Sequence, residues 1–312
     1  MKVVFMGTPE FALPTLDRLA SSRHEVLAVV TQPDRPRGRG QEVSPPPVKQ
    51  LALERGIPVL QPEKASRPEF IEEIRKLNPD LIVVAAYGQI LKREFLEIPR
   101  IFCVNVHSSL LPKYRGAAPI NRAIINGDTE SGVTTMKIAE QLDAGDILLM
   151  RAVAIGENDT AQTLHDRLAK VGGELALETV NRLEENSILP IPQDESRATY
   201  AHKLKKDDGL IRWEQEAVRL HNLVRGLEPW PGAFTFYKGK RLRVCATEIH
   251  RGDPADRPGV VARVSDYGIE VGTGKDRLVL TRLHPEGKKH MLAKCFIAGY
   301  RIAPGDTLDL PA

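Results

Sequence analysis

Over roughly the first 185 residues, short apolar runs alternate with amphipathic stretches. KVVFMG, EVLAVVTQ, PDLIVVAAYG and IFCVNVH are brief and rich in Val and Ile, the pattern of strands buried on both faces. TPEFALPTLDRLA, SPPPVKQLALERG and RPEFIEEIRKLN lie among them and read as helices. Thr8 stands as an N-cap, Pro9 at the first helical position and Glu10 in the first turn, while Gly56 closes the second helix. The alternation predicts an α/β domain: a Rossmann-like, mostly parallel sheet with helices on both faces. TAQTLHDRLAKVGGELALETVNRLEEN is its last long helix, which sets the first domain at residues 1–188.

The texture then changes. Residues 189–208 are polar, contain Pro and show weak periodicity, and they read as a linker. One short helix, EQEAVRLHNLVRGL, precedes a series of short strands: AFTFYKG, KRLRVCATEI, GVVARVSDYGIEVGTG and RLVLTRLHPEG. Gly and Asp punctuate them closely. That spacing predicts a small C-terminal antiparallel β-barrel, OB-like, over residues 209–312.

Charge adds to this picture through its distribution. Residues 209–312 hold 17 Lys and Arg against 12 Asp and Glu, a balance of +5, which leaves 27 against 29, or −2, for residues 1–208. A basic second part suits a polyanionic partner, although a plain solubility bias gives the same count. Cys103, Cys245 and Cys295 are far apart, with no CxxC, so neither a disulfide framework nor a zinc site is expected. No run approaches the ~18 apolar residues of a membrane helix, and MKVVFMGTPEF is too briefly apolar for a signal peptide. A cytoplasmic protein with reduced thiols and no membrane partner is expected.

Candidate chemistry begins where the fourth strand turns polar. Asn105 and His107 are two residues apart and therefore point to one side of the strand. They stand at its carboxyl end, where open parallel sheets bind ligands. Asn105 offers a neutral donor, and His107 can move a proton. In QLDAGDILL, Asp143 precedes a tight Ala-Gly turn and could orient the imidazole. Asp146 is a rival, and spacing does not choose between them. The blander reading has these polar groups satisfying a strand end and capping a turn. No nucleophile elbow surrounds Ser108 and Ser109, no metal-ligand spacing is present, and GTPEF is no phosphate loop. The inventory suits direct acyl transfer, with Asn105 as oxyanion donor and His107, helped by Asp143, as proton shuttle.

NVHSSLLPKYRGAAPINRAIINGD followed by TTMKIAEQLDAGDIL resembles the formyltransferases that use 10-formyltetrahydrofolate. MKVVFMGTPEFALPTL, TQPDRPRGRG, LIVVAAYGQIL and GLEPWPGAF extend the resemblance along nearly the whole chain, toward members that act on methionyl initiator tRNA. The resemblance implies formyl transfer from 10-formyltetrahydrofolate, as co-substrate and with no metal, to the α-amino group of methionine on that tRNA, for translation initiation. It implies catalytic roles for Asn105, His107 and Asp143. It assigns folate to Ser109, Leu110, Leu111 and Pro112, with Tyr87, Gly88, Gln89, Ile90 and Leu91 lining the pterin through backbone groups.

It assigns the acceptor end of tRNA to the loop carrying Arg35, Arg37 and Arg39, whose Pro and Gly suit reaching rather than packing. Lys203, Lys205 and Lys206 are expected to meet tRNA in the linker, and the chain is expected to act as a monomer. Trp213 and Trp230 offer stacking faces, with Trp230 expected to be packed. A formyltransferase for a small amine would share the catalytic trio but would not need the Arg-rich loop or the basic barrel. A non-catalytic RNA-binding protein would not need the trio.

Overall fold

The structure, a computed structural model, describes residues 1–37 and 42–308. It divides into two units. The first takes Met1–Pro119, Glu130–Ala154 and His165–Ala201; the second takes Ile120–Thr129, Ile155–Leu164 and the chain from His202 onward.

Strands of the first unit are β1 (Lys2–Gly7), β2 (Glu25–Val30), β3 (Arg35–Arg37), β4 (Glu42–Ser44), β5 (Val59–Leu60), β6 (Leu81–Ala85), β7 (Phe102–His107), β8 (Arg115–Gly116), β9 (Glu130–Lys137), β10 (Ile147–Ala154) and β11 (Tyr200–Ala201). Helices α1 (Leu13–Ala20), α2 (Pro47–Glu54), α3 (Pro68–Lys76) and α4 (Arg93–Leu96) lie between them, as does most of the long α6 (Ala161–Glu184), whereas α5 (Pro119–Ile125) falls almost wholly in the second unit.

The main sheet runs β10-β9-β7-β6-β1-β2-β5. From β5 to β7 every pair is parallel, as the apolar runs predict. β9 and β10 are antiparallel additions on the β7 side. β10 marks itself as an edge strand, because its residues alternate between exposed and partly buried beyond Leu148.

Strand order reverses at β1. The chain goes outward to β2 and β5, then crosses to β6 and β7, so the carboxyl ends of β1 and β6 flank a topological switch point. Val4, Met6, Ile82 and Val84 send alternate side chains to a core with Phe70, Ile74 and Phe95 of α3 and α4. Thr8 departs from the expected N-cap. Its hydroxyl donates to the Tyr87 carbonyl (3.2 Å), and a short 3₁₀ turn, Glu10–Ala12, precedes α1. A hydroxyl placed between two strand ends finds a stronger use there than at a helix start that already has Pro9.

The second unit contains α7 (Ala217–Leu227), β12 (Ala233–Tyr237), β13 (Lys240–His250), β14 (Val261–Val264), β15 (Ile269–Gly272), β16 (Arg277–Pro285), β17 (Met291–Leu292) and α8 (Ala293–Tyr300). Its sheet is antiparallel throughout, ordered β12-β13-β16-β15-β14 with β17 on β16. Irregular register between Val244 and Thr247 bends β13 against β16.

Trp213 belongs to this unit's core with Leu220, Val244, Leu280 and Phe296, and its indole N–H donates to the Thr235 hydroxyl (3.2 Å). Trp230, expected to be packed, is 54% exposed. The two Trp roles are therefore reversed, because the indole of Trp213 finds a buried hydroxyl partner and that of Trp230 stays at the surface. Among the described residues no helix is long and apolar enough to cross a membrane.

The stretch read as a linker is divided. Ile191 bridges to Ile147, and β11 pairs in parallel with β8, so residues up to Ala201 are tied to the first unit.

Candidate active site

β7 is held on both sides at its carboxyl end. Asn105 stands opposite Val84 of β6 and Met136 of β9, and His107 stands opposite Thr134 of β9. Pairing on both flanks at Asn105, and on the β9 flank at His107, fixes where the two side chains project, and their even spacing keeps them on one face.

The imidazole of His107 is buried, with one nitrogen committed. Nε2–H donates to the Tyr114 carbonyl at 3.0 Å. A carbonyl can only accept, so the neutral ring carries its proton on Nε2 and presents the lone pair of Nδ1. Nδ1 faces Asp143 Oδ2 at 3.7 Å, too far for a direct hydrogen bond and close enough to stabilise an imidazolium. Asp143 is thus the carboxylate at His107. Asp146 instead faces Lys137 Nζ at 3.6 Å.

Asp143 Oδ2 also accepts from the Gly116 amide at 2.8 Å. Asp143 itself has φ 49°, a left-handed conformation that costs a non-glycine residue about 1–3 kcal/mol and persists only when neighbours over-determine it. Two glycines make the arrangement possible. At Gly145 a Cβ would come 1.9 Å from the Lys137 carbonyl oxygen. Gly116 has φ +116°, and a Cβ there would approach the Ala201 carbonyl oxygen to 2.9 Å.

The loop after β7 is fastened from below. Thr134, fully buried on β9, donates to the Ser109 carbonyl (2.7 Å) and accepts from the Leu111 amide (3.1 Å). The Ser109 hydroxyl closes the loop onto the Lys113 carbonyl at 2.6 Å. Leu111 packs with Met136 and Ile147, and Pro112 follows it through a cis peptide bond. The side chains of Ser109 and Leu111 therefore support the loop. Thr134→Val would leave two buried polar groups unpaired and is expected to cost about 1–3 kcal/mol in denaturant unfolding.

Tyr87 to Leu91 follow β6 at the switch point. Tyr87 is buried, its phenol is among the buried side-chain groups without a hydrogen-bond partner, and burial pushes its pKa up to about 12. Its carbonyl accepts from Thr8 and from the Gln32 side chain (3.2 Å). The Gln89 side chain bonds the Ala65 amide (2.8 Å) and the Glu63 carbonyl (3.1 Å), so it is spent on the scaffold. Leu91 is buried, Gly88 is exposed, and Ile90 stands 84% exposed.

Arg115 went unnoticed in the sequence, hidden in a loop motif whose spacing carries no signal for it. It is fully buried and paired with Glu195 (2.7 Å), which holds the Glu195 carboxyl below its ordinary range. Stability from a depressed carboxyl is present above its unfolded pKa and lost as pH falls through the folded value. Glu195→Gln is therefore expected to flatten the acid limb of a stability–pH curve below about pH 4.5.

A formyl transferase model matches residues 1–180, and a formyl transferase C-terminal domain model matches residues 203–301. The chain belongs to the formyl transferase family. A methionyl-tRNA formyltransferase from Citrifermentans bemidjiense is 52% identical over 308 residues, covering 99% of this chain and 96% of its own. One from Caldanaerobacter subterraneus is 50% identical, with 99% and 100% covered. Among solved structures, an N-formyltransferase from Helicobacter canadensis in complex with folinic acid and dTDP-3-aminofucose superposes with TM-score 0.69 at 18% identity, over 90% of this chain and 98% of that one. HypX from Aquifex aeolicus with tetrahydrofolic acid gives TM-score 0.63 at 20% identity, over 96% of this chain and 47% of that one. At such identities the solved structures speak for the fold alone.

In this formyl transferase, the basic positions expected to meet tRNA fall on both units. Arg35 is exposed at the start of the hairpin β3–β4, where it stands opposite Ser44. Of Arg37 only the backbone is described, and Arg39 lies outside the described residues. Lys203, Lys205 and Lys206 are exposed on the second unit.

Proposed function

We propose that the chain is a methionyl-tRNA formyltransferase. It moves the formyl group of 10-formyltetrahydrofolate to the α-amino group of methionyl initiator tRNA, giving N-formylmethionyl-tRNA for translation initiation. What carries the substrate assignment is identity of about one half, over nearly the whole chain, with relatives of that name.

The chemistry follows from the trio. The amine attacks the formyl carbon, and the carbonyl oxygen takes negative charge. Asn105 donates a hydrogen bond to that oxyanion. A proton from the amine passes to His107 Nδ1, the free ring nitrogen, where Asp143 stabilises the cation that forms. The cation, on the same strand face as Asn105, adds to the stabilisation of the oxyanion. Collapse breaks the bond from carbon to folate N10, which receives a proton in return. Ser109 to Pro112 and Tyr87 to Leu91 flank the carboxyl ends of β7 and β6, and we assign the folate to these two segments.

Arg35, Arg37, Arg39, Lys203, Lys205 and Lys206 meet tRNA phosphates in this reading. Arg35→Ala is expected to weaken tRNA binding and to lower the slope of log affinity against log salt by about one counterion. The chain acts as a cytoplasmic monomer. Single-turnover transfer of labelled formyl, with charged initiator tRNA and a small free amine as rival acceptors, tests the assignment. Label on the methionyl-tRNA is expected. Formate release or label on the small amine would keep the catalytic trio and remove the tRNA assignment.

A further inference from the structure

We infer that Gln193 is a positioning residue that clamps the Asp143 turn, with Arg115 and Glu195 bracing it. The inference rests on the acyl-transfer reading of Asn105, His107 and Asp143.

Gln193 Nε2 donates to the Asp143 carbonyl and to the Gly145 carbonyl, both at 2.8 Å. Those carbonyls lie at and two residues beyond Asp143, which is held at φ 49° in a turn that the Ala144 amide closes onto the Gln141 carbonyl. The other end of the same amide is equally occupied. Gln193 Oε1 accepts from Arg115 Nε (3.1 Å) and from a terminal guanidinium nitrogen of Arg115 (2.8 Å). Flipping the amide would set its donors against the guanidinium and its oxygen against two carbonyls, so one orientation is enforced.

The brace continues outward. Both terminal nitrogens of Arg115 donate to the Glu195 carboxylate at 2.9 and 2.7 Å. A fully buried guanidinium needs such a counter-charge. Arg115 is in turn fixed through its backbone. Its amide donates to the Thr199 carbonyl (2.8 Å), the preceding Tyr114 amide donates to the Thr199 hydroxyl (2.9 Å), and β8 pairs with β11.

Two ends of one mechanism therefore meet in this network. Tyr114 supplies the carbonyl that holds His107 Nε2, and Gly116 supplies the amide that holds Asp143 Oδ2. Arg115 stands between them in sequence. Gln193 ties that segment to the Asp143 turn, which sets the 3.7 Å spacing between His107 Nδ1 and the carboxylate. The function of residues 191–201 is to buttress the acid, which a polar, Pro-containing stretch conceals in the sequence.

The test compares single-turnover formyl transfer in wild type, Gln193→Ala, Gln193→Glu, Asp143→Ala and the double variant Gln193→Ala with Asp143→Ala. Loosening the acid by an ångström is expected to slow Gln193→Ala by about 10- to 100-fold, with KM for both substrates little changed. Gln193→Glu keeps the acceptor for Arg115 and removes both donors to the turn. It is expected to be as slow as Gln193→Ala, and it serves if the alanine variant does not fold. Because Gln193 acts through Asp143, the double variant is expected to be no slower than Asp143→Ala alone.

A wild-type rate in either Gln193 variant would overturn the inference. So would a double variant slowed by the full product of the two single effects, the mark of a general structural role. A wild-type rate in Asp143→Ala would overturn the catalytic reading beneath it, and with it the clamp; a slow Asp143→Ala beside a fast Gln193→Ala would overturn the clamp alone.

Discussion

His107→Ala is expected to lower single-turnover formyl transfer by about 10²–10⁴-fold while the chain stays folded. The size follows from the ring's hydrogen bonding. Nε2 is tied to the Tyr114 carbonyl, so Nδ1 is the nitrogen left to receive a proton, and it faces the carboxylate of Asp143. Without it the attacking amine must lose its proton to bulk water, and no cation forms beside the developing oxyanion. Folding is expected to survive, because the change deletes one buried ring and one hydrogen bond against a stability of roughly 5–15 kcal/mol.

A second substitution separates the proton from the scaffold. His107→Gln keeps an N–H that can reach for the Tyr114 carbonyl but has no titratable nitrogen. It is expected to be about as slow as His107→Ala. Turnover within about threefold of wild type in either variant would sink the proton-shuttle role.

The sequence makes the parallel sheet legible because strands buried on both faces leave continuous apolar runs, and LIVVA and FCVNV do so plainly. It makes Asn105 and His107 legible for the complementary reason, since polar residues at the end of such a run need an explanation. β9 is harder. ESGVTTMK buries Thr134 and Thr135 by hydrogen bonding them, so its composition looks half-polar although it lies inside the sheet. α8 is hidden because AKCFIAGY is eight residues long and ends at Arg301 in a left-handed conformation, a position where Gly would have been the signal.

The identity of the acid was legible only through the family resemblance and not in the spacing. Asp143 and Asp146 differ by three positions, and only the fold decides that one faces His107 and the other Lys137. The Gln193–Arg115 network joins positions 78 apart through side-chain amide and guanidinium groups, for which no local periodicity exists.

Asn105→Ala is expected to lower the rate by roughly 10²–10³-fold, about 2.7–4 kcal/mol of barrier, with KM for folate and tRNA almost unchanged. A donor aimed at the oxyanion meets charge that exists only as the amine attacks, so its loss is felt in the chemical step and hardly in ground-state binding. The strand should not notice the change. Asn105 is paired through its backbone with Val84 and Met136, and its side chain projects from a half-buried position at the strand end. Asn105→Asp sharpens the test, because it keeps the shape and replaces the donor with a carboxylate where negative charge must develop. It should be slower than Asn105→Ala. If aspartate were tolerated better than alanine, Asn105 could not be donating to an oxyanion, and its role would be to position the amine. The pair Asn105→Ala with His107→Ala should then fall short of the product of the two single losses, since both groups serve one transition state and a residual rate from substrate positioning remains when both are gone.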